Sequence, residues 1–277
     1  MEIGIFAKTF ARRRLEWTLD AVRAHGLRWV QFNMACTGLP PMPERIEPTL
    51  CDRIRKALAA RGLRMAAVSG TFNMIHPDVE QRRVGLGRLR VLAGACHDMG
   101  TSVITLCTGT RDADDMWRRH PDNDTADAWN DLLVALRAAL EIAEATGVTL
   151  AFEPEVANVV DSAVKGRRLL GEMASPRLKV VMDAANLFHF GELPRMREVL
   201  DEAFTLLGKD IVLAHAKDLS RDGEAGHEAA GKGLLDYDHY LALLRGVGYD
   251  GPLILHGLAE AQVDDCVAFL RSKLTGS

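Results

Sequence analysis

One joint recurs along this chain. A helix-like segment ends in glycine, and a β-rich run begins at once. The joint stands as His25-Gly26-Leu27 before RWVQFN, Arg61-Gly62-Leu63 before RMAAVS, and Met99-Gly100-Thr101 before SVITLC. It returns as Thr146-Gly147 before VTLAFE, Leu207-Gly208 before IVLAHA and Val247-Gly248 before PLILH. Glycine suits the position just past a helix end because it takes positive φ with no Cβ to clash. The repetition of this joint means that strands alternate with helices.

The strands read as 2–7, 28–33, 63–69, 102–107, 148–153, 178–183, 211–216 and 252–256. Most are nearly continuous apolar runs, as parallel strands covered on both faces require. Amphipathic helices lie between them. Trp129, Leu132, Leu133, Leu136, Leu140 and Ala143 follow helical spacing, and so do Val263, Cys266, Val267, Leu270 and Leu274. Spreading 277 residues over eight strand–helix units allows about 35 residues each, the scale of a (β/α)8 TIM barrel. The expectation is one such domain over residues 1–277. A doubly wound open sheet would carry a G-x-G-x-x-G turn after its first strand. Here that strand runs into Ala7-Lys8-Thr9-Phe10 instead. The longest connections, about 108–125 and 217–235, follow strand C-termini, where a barrel keeps its active-site loops.

Composition narrows the function. The formal charge is −4, from 34 Lys+Arg against 38 Asp+Glu, which argues against a nucleic-acid partner. An endonuclease of similar architecture would need a multi-zinc cluster rich in histidine and a basic face, and only 9 His are present. Cys36, Cys51, Cys96, Cys107 and Cys266 are odd in number and form no C-x-x-C pair. They read as buried small hydrophobes in a reducing cytoplasm. No run is long and apolar enough for a signal peptide or a membrane span.

The chemistry gathers at the ends of the last four strands. Strand five closes on Glu153, strand six on Asp183, strand seven on His215 and strand eight on His256. Successive strand ends are neighbours around one rim of a parallel barrel, so these side chains can converge. Two carboxylates and two imidazoles suit Mn²⁺, Fe²⁺, Co²⁺ or Zn²⁺ better than Mg²⁺ or Ca²⁺, which prefer oxygen shells. The expected cofactor is a divalent metal, Mn²⁺ first.

Several motifs carry a resemblance: FEPE at 152–155, MDAAN at 182–186, HAKD at 215–218, GKGLLDYDHYLALL from 231 and GYDGPLIL at 248–255. With them the chain resembles the sugar phosphate isomerase/epimerase group of xylose-isomerase-like TIM barrels over nearly its whole length. The resemblance implies a metal held by Glu, Asp, His and Glu, and two ligand glutamates acting as bases on the two faces of a substrate carbon. Two positions depart from it. His256 stands where the family usually has Glu, and Asn186 stands where several epimerases have a substrate-contacting His. The catalytic candidates are Glu153 and His256, but an imidazole nitrogen bound to metal has no lone pair left for proton transfer.

The expected reaction is metal-dependent isomerisation or epimerisation of a small sugar, sugar phosphate or polyol. A chelated carbonyl would make the neighbouring proton labile and stabilise an enediolate. An inosose-dehydratase-like lyase and a non-catalytic sugar-binding barrel are the alternatives. Substrate contacts are expected from Glu155, Asn186, Lys217, His76 and Arg111, and from Arg221 at the offset where the resembling epimerases place an Arg. Lys217 and Asp218 are also read as an ion pair at the rim, and His189 as a helix-start residue. Gly231-Lys232-Gly233 reads as a tight turn, with a phosphate-wrapping loop as the alternative. Barrels of this kind often form dimers or tetramers, and a homo-oligomer is compatible with the sequence.

Overall fold

A computed structural model describes residues 1–275. Eight parallel strands close into a barrel in sequence order. They are β1 (Ile3–Phe6), β2 (Trp29–Phe32), β3 (Arg64–Ser69), β4 (Val103–Cys107), β5 (Thr149–Glu153), β6 (Leu178–Met182), β7 (Ile211–Ala216) and β8 (Leu253–Leu255). The seam is β1 against β8, with Ile3, Gly4 and Ile5 opposite Leu253, Ile254 and Leu255. The α-helices that follow are α1 (Leu15–Ala24), α2 (Pro48–Ala59), α3 (Val79–Met99), α4 (Ala126–Thr146), α5 (Ala163–Met173), α6 (Met196–Leu207), α7 (Tyr237–Gly246) and α8 (Val263–Thr275). This is the single TIM barrel expected from the alternation, and all eight strands fall where the apolar runs stand.

Two cores hold it together. The larger lies between strands and helices and takes in the periodic faces of α4 and α8. A smaller cluster fills the barrel's interior with Phe6, Ala67, Ala151, Val181, Leu213 and Ile254. Above it the interior turns polar. Gln31, Ser69 and Thr105 are buried there, and Gln31 Nε2 donates across the barrel to Thr105 Oγ1 at 3.3 Å. This polar layer forms the floor of the cavity at the C-terminal mouth.

The glycine joints behave as the sequence suggests at Gly26, Gly62, Gly100, Gly147 and Gly248, all with positive φ. Gly208 does not. It adopts right-handed helical angles, φ −53° and ψ −38°. Its requirement is space, because a Cβ there would meet Val247 Cγ1 at 2.5 Å. All five cysteines are free and buried. Burial pushes the Cys36 thiol up to about 11 and the Cys96 thiol up to about 12, so both stay protonated. Among the described residues, no helix is long and apolar enough to cross a membrane.

Candidate metal centre

Glu153, His215 and His256 line one cavity, with Asp183 buried behind them. β6 stops at Met182, so Asp183 opens the short turn Ala184–Asn186, and its Oδ1 accepts the Ala185 N–H at 3.1 Å. β8 stops at Leu255, and Gly257, at φ +67°, turns the chain away just after His256. Local turn chemistry at each strand end thus aims these side chains inward. Asp183, His215 and His256 each offer one ligand atom within 4.8 Å of the others. Among the described residues, the buried His215 Nδ1 and His256 Nδ1 meet no well-aligned hydrogen-bond partner, and the buried Asp183 Oδ2 has only the ion-pair contacts of Lys217 and His215. Buried polar atoms are normally satisfied, so two imidazole nitrogens left open beside the Asp183 carboxylate suit a shared cation.

The orientation of His215 fits that reading. Its Nε2–H donates to Gln31 Oε1 at 2.7 Å, which turns Nδ1 toward the carboxylates. A metal-ligating histidine is characteristically held this way through its other nitrogen. His215 Nδ1 lies 3.4 Å from Asp183 Oδ2 and 3.6 Å from Glu153 Oε2. The His256 ring stacks on Phe6 at 5.3 Å and on His215 at 4.9 Å.

Glu153 sits beside this group rather than within it. Its Oε1 accepts a 2.5 Å hydrogen bond from Asn186 Nδ2, and Asn186 Oδ1 accepts the Gly226 N–H at 2.9 Å. Asn186 therefore fixes the Glu153 carboxylate and ties it to the β7–α7 loop. Lys217 is buried, with Nζ 3.2 Å from Asp183 Oδ2. The rim pair expected between Lys217 and Asp218 does not form. Asp218 instead accepts backbone N–H groups from Leu219, Gly231 and Leu235. The Gly231–Gly233 turn thus wraps the chain's own carboxylate, not a phosphate. A Cβ on Gly233 would sit 2.4 Å from Asp218 Oδ1.

The electrostatics separate the groups. Burial alone would raise the Asp183 carboxyl, but Lys217 and His215 hold it well below the usual range. Burial works against charge on His215, yet Glu153 and Asp183 together raise it to about 9. Burial, then His215 and Lys217, drive His256 well below the ordinary imidazole value, so it is neutral and keeps a free lone pair. Burial and then Glu153 push the Glu155 carboxyl up to about 7.

The other expected contacts divide. Glu155 and Lys217 line the cavity, about 310 Å³ in volume, together with Glu153, His215 and His256. His76 lies in a neighbouring groove, with its nitrogens engaged by Ala113 O and the Asp78 N–H. Arg111 reaches away to Ile75 O and Asp131, tying the loops after β3 and β4 to α4. Arg221 is exposed and pairs with Glu224 on its own loop. His189 Nε2 contacts Asp161 O. The sequence reading passed over Gln31, Asn33, Lys8 and Trp117, all at the cavity wall. Gln31 had a signal, being an amide inside the apolar run RWVQFN.

The closed parallel barrel, with titratable groups crowded at the C-terminal ends of its strands, defines a TIM barrel. The profile of the xylose isomerase-like TIM barrels matches residues 19–273, and the chain belongs to that family. No curated protein matches it in sequence. Among solved structures it is similar to 3-keto-D-glucoside 4-epimerase, YcjR, from E. coli, with 18% identity and a TM-score of 0.74 over 98% of this chain and 99% of that one. A structure of L-ribulose 3-epimerase shows 19% identity and a TM-score of 0.74, over 99% and 95% of the two chains. The IolI protein with a bound zinc atom shows 14% identity and a TM-score of 0.76, over 100% and 98%. At these identities the likeness is one of fold.

Proposed function

We propose that this chain is a metal-dependent isomerase or epimerase of a small sugar or polyol. The observation that carries the reading is the close cluster of ligand atoms on Asp183, His215 and His256, beside a carboxylate held in place by Asn186. The epimerase fold relatives and the zinc in the IolI structure support it. Asp183, His215 and His256 would hold the cation, with Glu153 as the adjoining carboxylate. A bound divalent cation would serve as Lewis acid toward a substrate carbonyl.

The protein's own groups do the rest. Glu153 takes the proton from the carbon beside the carbonyl, and Asn186 keeps its carboxylate in position. Lys217 keeps Asp183 ionised in a buried setting. Glu155, with its carboxyl near neutrality, can hold or release a proton at the cavity wall. With the His256 lone pair committed to the cation, Glu153 is left as the base adjoining the donor cluster, with Glu155 further along the cavity wall. Isomerisation or one-base chemistry therefore fits better than a two-base epimerisation.

The test is solvent exchange. The protein is incubated with ketoses, inososes and hydroxypyruvate in D₂O with Mn²⁺ or Co²⁺. Deuterium is expected at the carbon beside the carbonyl of one of them, and Glu153→Gln should abolish it at unchanged metal content. A second reading, polyol binding without turnover, is favoured by Lys217, whose ammonium already compensates Asp183. Absence of exchange across the panel together with retained ligand binding would select it. Release of water from an inosose would select the lyase.

A further inference from the structure

We propose that Lys8 and Asn33 form an oxyanion subsite at the β1–β2 side of the mouth, so that the substrate carries a carboxylate or phosphate on the end away from its reacting carbon. This rests on the reading of the cavity as a sugar or polyol site and deepens it.

The first two strand ends set the pair. Phe6 on β1 is opposite Gln31 on β2. Lys8 follows in the turn Ala7–Thr9 just past β1, and Asn33 opens the turn Met34–Thr37 just past β2. Both line the same cavity as Glu153 and His256. Lys8 Nζ lies 4.6 Å from the centre of the Phe6 ring, and that ring stacks on His256. The ammonium is thus one ring removed from the donor cluster. It is close enough to meet the far end of a small substrate and not placed to compete for the ligand atoms.

Lys8 differs from the other cations nearby. Lys217 pairs with Asp183, and Arg12 with Glu260. Lys8 forms no ion pair among the described residues, and no carboxylate figures in its electrostatic surroundings. Asn33 supplies an independent sign. It is 4% exposed, and its Oδ1 is occupied by the Ala35 N–H at 3.0 Å. Its Nδ2 donates to none of the described residues, so its N–H groups are left for the cavity. An uncompensated ammonium and a free amide donor on the wall of one cavity match an oxyanion, which accepts charge-assisted hydrogen bonds from both. A neutral polyol end has no use for the charge.

The experiment compares three five-carbon ligands, xylitol, D-xylonate and xylitol 5-phosphate, by calorimetry against the metal-loaded protein, Lys8→Met and Lys8→Arg. One or both anions should bind about tenfold more tightly than xylitol. Lys8→Met should bring them to the xylitol level, and Lys8→Arg should keep most of the preference. The better anion tells carboxylate from phosphate. Equal binding of all three, no binding of either anion, or a preference that survives Lys8→Met overturns the subsite. Metal content measured on the same samples reports on the isomerase reading separately. A metal-loaded protein without anion preference sinks only the subsite, whereas a wild-type protein that takes up no metal sinks the isomerase reading.

Discussion

At the scale of single residues, the site depends on side chains that touch no metal and need not touch substrate. Gln31 accepts the Nε2–H of His215 and so decides which nitrogen faces the donor cluster. Gln31→Leu should lower divalent metal affinity by roughly 10- to 100-fold, the usual range for loss of an orienting partner. Calorimetric titration would read this, and unchanged affinity would mean that packing alone orients the ring. His256 marks the chain's departure from its family, and two imidazoles favour borderline metals. His256→Glu should shift preference away from Zn²⁺ and Co²⁺ and toward Mn²⁺ and Mg²⁺, seen in metal competition with elemental analysis. Much of this scale was legible. Glu153, Asp183, His215 and His256 each closed an apolar strand. The roles of Asn186 and Lys217 were not legible as they stand, because both depend on partners 33 and 34 positions away in the chain.

At the scale of elements, neighbours on the loops set the direction of the rim side chains. Arg111, Arg221 and His76 all lie on loops after strands, so topology put them at the correct end of the barrel. Their directions were set by neighbours: Asp131 on α4 for Arg111, Glu224 for Arg221 and Ala113 O for His76. Helices α1 and α2 are clasped by a two-pronged contact, in which Arg53 Nε and Nη2 donate to the Glu16 carboxylate, both at 2.8 Å. That contact lowers the Glu16 carboxyl to about 2. A depressed carboxyl stabilises the fold above its unfolded value, and the benefit fades as pH falls toward the folded value. Glu16→Gln should therefore cost about 1 kcal/mol or less at neutral pH, since the pair is largely solvated. The gap from wild type should begin to narrow as pH drops past 4.5 and close near about 2. A constant gap across denaturant melts in that window would show that Glu16 acts through packing and not through charge.

Across the whole molecule, closure of β1 on β8 stacks Phe6, with Lys8 over its ring, on His256 just past β8, although nearly the full chain separates them. The same closure crowds Asp183, Glu153, Glu155, His215 and Lys217 into one buried space. Charges held close without solvent are costly, and a cation that fills the space should stabilise the fold by linkage. Metal at a hundredfold excess over its Kd should raise the melting temperature by roughly 5 to 10 °C. Asp183→Asn should remove most of that rise, as read by calorimetry with and without chelator. Equal melting temperatures for wild type with and without metal would contradict the proposed centre.

The sequence by itself determined the barrel, its eight strands and the rim on which chemistry gathers. These follow from local signals: helix-ending glycines, apolar runs covered on both faces, and polar residues closing those runs. Only the tertiary structure decided that Asp183, His215 and His256 form the close group while Glu153 stands beside it on Asn186. It also decided that the Gly231–Gly233 turn wraps Asp218, and that Lys8 meets no counter-ion among the described residues. The reason is physical. Period and turn chemistry act over a few residues, whereas the direction of a side chain is chosen by hydrogen-bond and charge partners that only closure of the barrel brings together.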